Sequence, residues 1–148
     1  MRAAAIVGFA TSFTSFLCSG TAPKDLEQAQ EWAGVQLPPT AREVRYDGDC
    51  FQDCRIRLRF ELPDRAAAEA FAASVGCPLE PTTKPNGRAR PEFGFVHRQQ
   101  EDPEWWDRPA AGRDILACQV EEPGVNARTV YVDARSEPPT VFYAVLTL

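Results

Sequence analysis

The chain has one histidine, His97, and two lysines, Lys24 and Lys84, in 148 residues. These scarcities narrow its chemistry. A base working near neutral pH without a strongly shifted pKa has to be His97. No second histidine stands at metal-ligand spacing, no Gly-x-Ser-x-Gly elbow presents a nucleophile, and no glycine-rich loop is built to cradle phosphate. Long apolar runs are missing too. The one near the start is diluted by Thr11, Ser12, Thr14 and Ser15, and falls short of the ~20 apolar residues that span a bilayer. There is no internal repeat and no low-complexity tract. Charge is mildly acidic, 16 basic against 21 acidic side chains for a net −5, which excludes a general nucleic-acid binder.

What is present begins with an address. Arg2 is the only charge before Lys24; an apolar run from Ala3 to Ala10 follows, then Phe13, Phe16 and Leu17, and small residues at Ser19, Gly20 and Ala22. A basic tip, an apolar middle and a small-residue exit form the pattern of a secretory signal. Residues 1–20 are therefore read as a signal peptide or lipoprotein-type leader, and residues 21–148 as a single domain. Cleavage after Gly20 places Cys18 and Gly20 at the small-residue positions of a peptidase site. Lipidation of Cys18 is the alternative, and the only route to a membrane, although Leu17 is bulkier than the residue that usually precedes such a cysteine. Removing Arg2 with the leader leaves 15 basic against 21 acidic side chains, a net −6.

Of five cysteines, Cys18 sits in the leader, leaving Cys50, Cys54, Cys77 and Cys118. Four cysteines in an exported domain read as two disulfides with three possible connectivities. A Cys50–Cys54 bond needs Cα atoms within about 7 Å, whereas four extended residues span roughly 13 Å, so it requires a tight turn through Phe51-Gln52-Asp53. Cys77 would then join Cys118 and close a long loop. Zinc fits poorly, because Cys50-x-x-x-Cys54 has the wrong spacing and no second close pair follows. Asp47, Asp49 and Asp53 fail the calcium-loop pattern, with Phe51 at the third ligand position and no closing Glu. No metal or cofactor is expected.

Local patterns predict the elements. Leu26, Ala29, Trp32 and Ala33 recur at helical spacing within Pro23–Ala33, and Gly34 stops the run. After the rigid connector Leu37-Pro38-Pro39-Thr40, residues Ala41–Tyr46 read as extended, with a turn at Asp47-Gly48-Asp49. From Cys54 to Leu62 the alternation is strict: Cys54, Ile56, Leu58, Phe60 and Leu62 on one face, Arg55, Arg57, Arg59 and Glu61 on the other. A second helix opens at Pro63-Asp64 and runs through Val75 to a stop at Gly76. Residues Cys77–Gly112, broken by six prolines, form a long irregular stretch with one extended piece, Phe93–His97. Asp114–Glu121, Arg128–Asp133 and Thr140–Leu148 read as closing strands. The expected fold is α+β: a mostly antiparallel five-stranded sheet, two helices packed on one face, and a long irregular loop.

Leu37-Pro38-Pro39-Thr40-Ala41 before a strand, Arg57-Leu58-Arg59-Phe60 leading into Leu62-Pro63, Phe71–Gly76 and Val130-Tyr131-Val132 together resemble a group of small exported, lipoprotein-like proteins of high-GC bacteria. The resemblance covers most of the chain after the leader. It implies export and fold class, and implies nothing about activity.

Two surfaces stand out as candidate sites. Trp105 and Trp106, in the acidic, proline-broken run Glu101–Asp107, offer a platform for a sugar ring, peptide or protein; alternatively an indole there plugs the end of a core. Arg55, Arg57 and Arg59, joined by Arg45 and Arg128 on neighbouring strands, would form a basic stripe on a solvent-facing sheet, unless Glu43 and Glu61 simply balance it. The expectation is an exported, non-enzymatic binding module of the cell envelope whose partner is a protein or an envelope polymer. The alternative is a small envelope hydrolase using His97 with an acidic loop residue.

Overall fold

The alternating run that opens at Cys54 organises the sheet. In the computed structural model, which describes residues 21–93, 102–122 and 126–147, strand β2 (Cys54–Glu61) fully buries Ile56, Leu58 and Phe60. It lies between β1 (Arg42–Cys50) and β6 (Thr140–Thr147). The meander continues through β5 (Asn126–Asp133), β4 (Ile115–Glu122) and the two-residue β3 (Glu80–Pro81). Every pairing is antiparallel, in the order β1-β2-β6-β5-β4-β3. The α+β class is as expected, but the sheet has six strands, not five. Glu80–Pro81 pairs with Ala117 and Leu116 at an edge, and a two-residue strand containing proline leaves no period to read.

Helix α1 (Leu26–Ala33) begins at Leu26, not Pro23, because the Asp25 carboxylate accepts the Gln28 N–H at 2.8 Å and so caps the first turn there. It ends where Gly34 turns left-handed at φ 61°. Helix α2 (Arg65–Ser74) is capped the same way, Asp64 accepting from Ala67 N–H at 2.8 Å. Both helices cover one face of the sheet. Ala29, Ala33, Ala68, Phe71 and Ala72 join Ile56, Leu58, Phe60, Val130, Val132, Val141 and Tyr143 in one buried cluster. Phe71 meets Phe60 and Tyr143 edge-on, at 5.0 and 5.8 Å between ring centroids, and the Tyr143 hydroxyl donates to Ala33 O. Each large side chain buried there contributes ~1.5–3 kcal/mol. Among the described residues no helix is long and apolar enough to cross a membrane.

The first hairpin corrects a boundary. Asp47-Gly48-Asp49 is not a turn; it continues β1, opposite Arg57, Ile56 and Arg55. Gly48 is needed for close approach, since a Cβ there would stand 2.4 Å from Arg55 O and 2.6 Å from Ile56 Cδ1. The chain reverses instead at Phe51-Gln52-Asp53, closed by a Cys50–Cys54 disulfide across 4.1 Å between Cα atoms. A second disulfide, Cys77–Cys118, ties the exit of α2 to β4 across 41 residues. Of the three connectivities open to four cysteines, this is the one formed. Residues 1–20, on which the expected leader and Cys18 fall, the segment from Gly94 to Glu101 with His97, and Leu148 lie outside the described residues.

Candidate functional site

The β2 residues that alternate with the buried ones turn to the opposite face of the sheet. Arg55, Arg57 and Arg59 lie across from Leu146, Ala144 and Phe142 of β6; Ala127, Thr129 and Tyr131 of β5 follow in register. This face was expected to be wet. It is covered in part by the stretch from Asp102 to Gly112, and the three arginines are half-buried, not exposed. The cover is apolar where it lands. Trp106, 4% exposed, packs on Ile115, Ala117, Tyr131 and Phe142, forming a second core. Its ring meets Phe142 edge-on at 5.4 Å between centroids. Trp105 is half-buried against it, so neither indole stands free as a platform.

Several bonds hold the cover in place. The Tyr131 hydroxyl donates to Pro109 O, and Trp106 N–H donates to Pro103 O at 2.8 Å. At the far end the buried Thr82 hydroxyl donates to Gly112 O at 2.9 Å and accepts Gly112 N–H at 3.0 Å. Asp102 accepts from Arg57 Nη1, while Nη2 of the same guanidinium reaches Asp47 at 2.8 Å. Arg57 is thus clasped between β1 and the cover, its side chain 11% exposed and Asp102 12%. A pair this enclosed is costly to break singly, because the surviving charge stays buried.

Between the arginine row and the cover lies a cleft of about 220 Å3, lined by Arg55, Arg57, Asp102, Trp106, Arg108 and Thr129 over a floor of Ala127, Ala144 and Leu146. Arg108 rests over Trp106 at 5.2 Å and over Tyr131 at 6.0 Å from the ring centroids, so its charge faces two π-systems. Burial pulls its pKa below the ordinary arginine value, while the nearby Asp102 charge acts the other way. An arginine so placed remains cationic. Burial likewise pushes the Tyr131 phenol up, against the pull of Arg108.

The structure brings together Arg55, Arg57 and Trp106, which belonged to two separate candidate surfaces in the sequence. Arg59 and Trp105 flank the cleft without lining it; Arg59 lies over Phe142 at 5.6 Å. Arg45 stands across from Arg59 in the ladder. Arg128 is not part of any stripe on this face. It sits on the helix side, where its Nη1 donates to Val75 O at the end of α2. Arg108 and the role of Asp102 were not anticipated. Arg108 directly follows the Trp105-Trp106-Asp107 run, but nothing local distinguishes it from a solvated charge. Two larger hollows are less suited to recognition. One, about 370 Å3, is walled mainly by Pro39, Leu62, Pro63 and Pro138. The other, about 590 Å3 beside β4, has Glu80 and Glu92 already paired with Arg90. Comparison with protein families, curated proteins and solved structures finds no match, so the chemistry of the site has to be read from its own geometry.

Proposed function

We propose that the chain is an exported, disulfide-stapled binding domain of the cell envelope, and that its ligand presents an anionic group to the cleft beneath the Trp105–Trp106 segment. One observation carries the reading: Arg55, Arg57 and Arg108 converge with Trp106 around a single recess. Guanidinium groups with an aromatic wall are the combination that recognises anions attached to organic bodies. Binding is favoured over turnover by the lining itself. Guanidiniums stay protonated near neutral pH and so supply no base, and the Asp102 carboxylate is occupied by its bond to Arg57. Export is supported by both disulfides, which persist in oxidising compartments.

Two measurements test this. In an NMR titration with polyglutamate and with polyphosphate, the expected result is shifts clustered at Arg55, Arg108, Thr129 and the Trp106 indole. Shifts scattered over Arg42, Arg65 and Arg113, or none, would overturn the site. For export, the intact mass of the protein from the cells that make it, taken without reductant, should show a removed or lipidated leader and four oxidised thiols. A full-length mass with four free thiols would refute that part.

A further inference from the structure

We infer that the cleft is a receptor for an organic monocarboxylate held by Arg108 against Trp106, with the chain's own Asp102 carboxylate as a built-in competitor. This rests on the anion-binding reading above and narrows it to one ligand chemistry.

Charge is the first consideration. Both terminal nitrogens of Arg57 are taken, Nη1 by Asp102 and Nη2 by Asp47. Asp49 stands across from Arg55 in the ladder. Arg108 makes cation–π contacts but, among the described residues, no ion pair. Arg57 already carries two carboxylates, and Arg108, on the cleft wall, presents one positive charge to match one negative charge. A phosphate dianion would bring a second negative charge beside the Asp102 carboxylate, which Arg108 alone does not match.

Shape is the second. A guanidinium offers two parallel N–H donors that fit the two oxygens of a planar carboxylate. The cleft already accommodates one such group, since Asp102 lines it and accepts from Arg57. Size is the third. About 220 Å3 equals the volume of roughly seven liquid waters, enough for a carboxylate on a body of a few carbons. The floor of Ala127, Ala144 and Leu146 and the wall of Trp106 suit an apolar body. A peptide C-terminus and a sugar acid both carry this chemistry.

Titrations of the full domain, disulfides intact, with butyrate, butyramide and inorganic phosphate decide the matter, read at the Trp106 indole N–H and Arg108 Nε–H. Butyrate should shift both signals saturably, butyramide should not, and phosphate should bind about tenfold or more weakly. Arg108→Gln should weaken butyrate about tenfold or more, the loss expected for a charge-assisted pair. Should that variant fail to fold, Arg108→Lys keeps the charge without the fork and should weaken butyrate while leaving it detectable. Asp102→Asn should tighten butyrate. N-acetylalanylalanine and glucuronate separate the two carriers; at least one must bind, and its uncharged amide must not. Phosphate binding as tightly as butyrate would overturn the carboxylate assignment while leaving an anion site standing. If no anion, polyphosphate included, moves either signal, both readings fall. Weaker butyrate binding to Asp102→Asn would remove the competitor.

Discussion

Replacing Trp106 by alanine separates a core residue from a ligand platform. The indole is 4% exposed and contacts Ile115, Ala117, Tyr131 and Phe142, with Arg108 over its face. A buried tryptophan removes about 150–250 Å2 from water, a gross ~4–6 kcal/mol at 25 cal/mol/Å2. Alanine keeps a small part of that, and the edge-on contact with Phe142 at 5.4 Å is lost. Truncations of this kind cost ~3–5 kcal/mol, and a cover joined to the sheet by few elements can settle into part of the void, so the low end, ~3 kcal/mol, is expected. For a domain of this size that lowers Tm by roughly 10 °C. Trp105→Ala, half-buried, should cost ~1 kcal/mol. Urea unfolding of the oxidised protein, followed by tryptophan fluorescence and by far-UV circular dichroism, measures both. An unchanged midpoint for Trp106→Ala would mean that the cover is not packed on the sheet, and the cleft would lose its wall.

Four further outcomes follow from the disulfides, the backbone and the ion pairs. Removing Cys77 and Cys118 together should cost more than removing Cys50 and Cys54, about 4 against 2 kcal/mol from loop closure over separations of 41 and 4 residues; equal losses would contradict it. Mild reductant should open Cys50–Cys54 first, because those cysteines are half-exposed while Cys77 is fully buried, and mass spectrometry after alkylation shows the order. Gly48→Ala places a methyl 2.4 Å from a backbone oxygen that cannot yield without parting β1 from β2, so a loss of ~2 kcal/mol or more is expected. Gly34→Ala, in open space at φ 61°, should cost only ~1 kcal/mol, and similar values for the two would refute the steric account. Hydrogen bonds from the Arg135 side chain hold the Asp133 carboxyl below its ordinary range, against the opposing effect of burial. A depressed folded-state pKa stabilises above the unfolded value of ~3.9 and is lost as pH falls below it. The stability gap between wild type and Asp133→Asn should therefore be constant from pH 6 to 5 and shrink toward pH 2; a gap independent of pH would exclude the linkage.

Local signals proved sufficient wherever the physics is local. Alternation from Cys54 to Leu62 identified the buried face of β2 because successive strand side chains point oppositely whatever lies above them. Asp64 and Gly34 marked helix ends because caps act within one turn. The boundaries that moved did so for tertiary reasons. Asp47-Gly48-Asp49 has the composition of a turn, yet it lies within a strand because β2 needs a residue without a side chain opposite Ile56. Glu80–Pro81 became a strand only because β4 offered an edge.

The sequence alone determined which residues of β2 turn inward, where α1 stops and where α2 starts, while the pairing of the four cysteines and the point at which the first hairpin reverses came from the fold. The sequence did not contain the cleft. Arg57 and Asp102 are 45 residues apart, and no periodicity links them. Their meeting depends on an apolar indole drawing the chain across a face that the alternation of β2 had marked for water. Periodicity says which side of a strand a residue occupies; what covers that side is settled by the burial available elsewhere in the chain, and only the folded molecule expresses it.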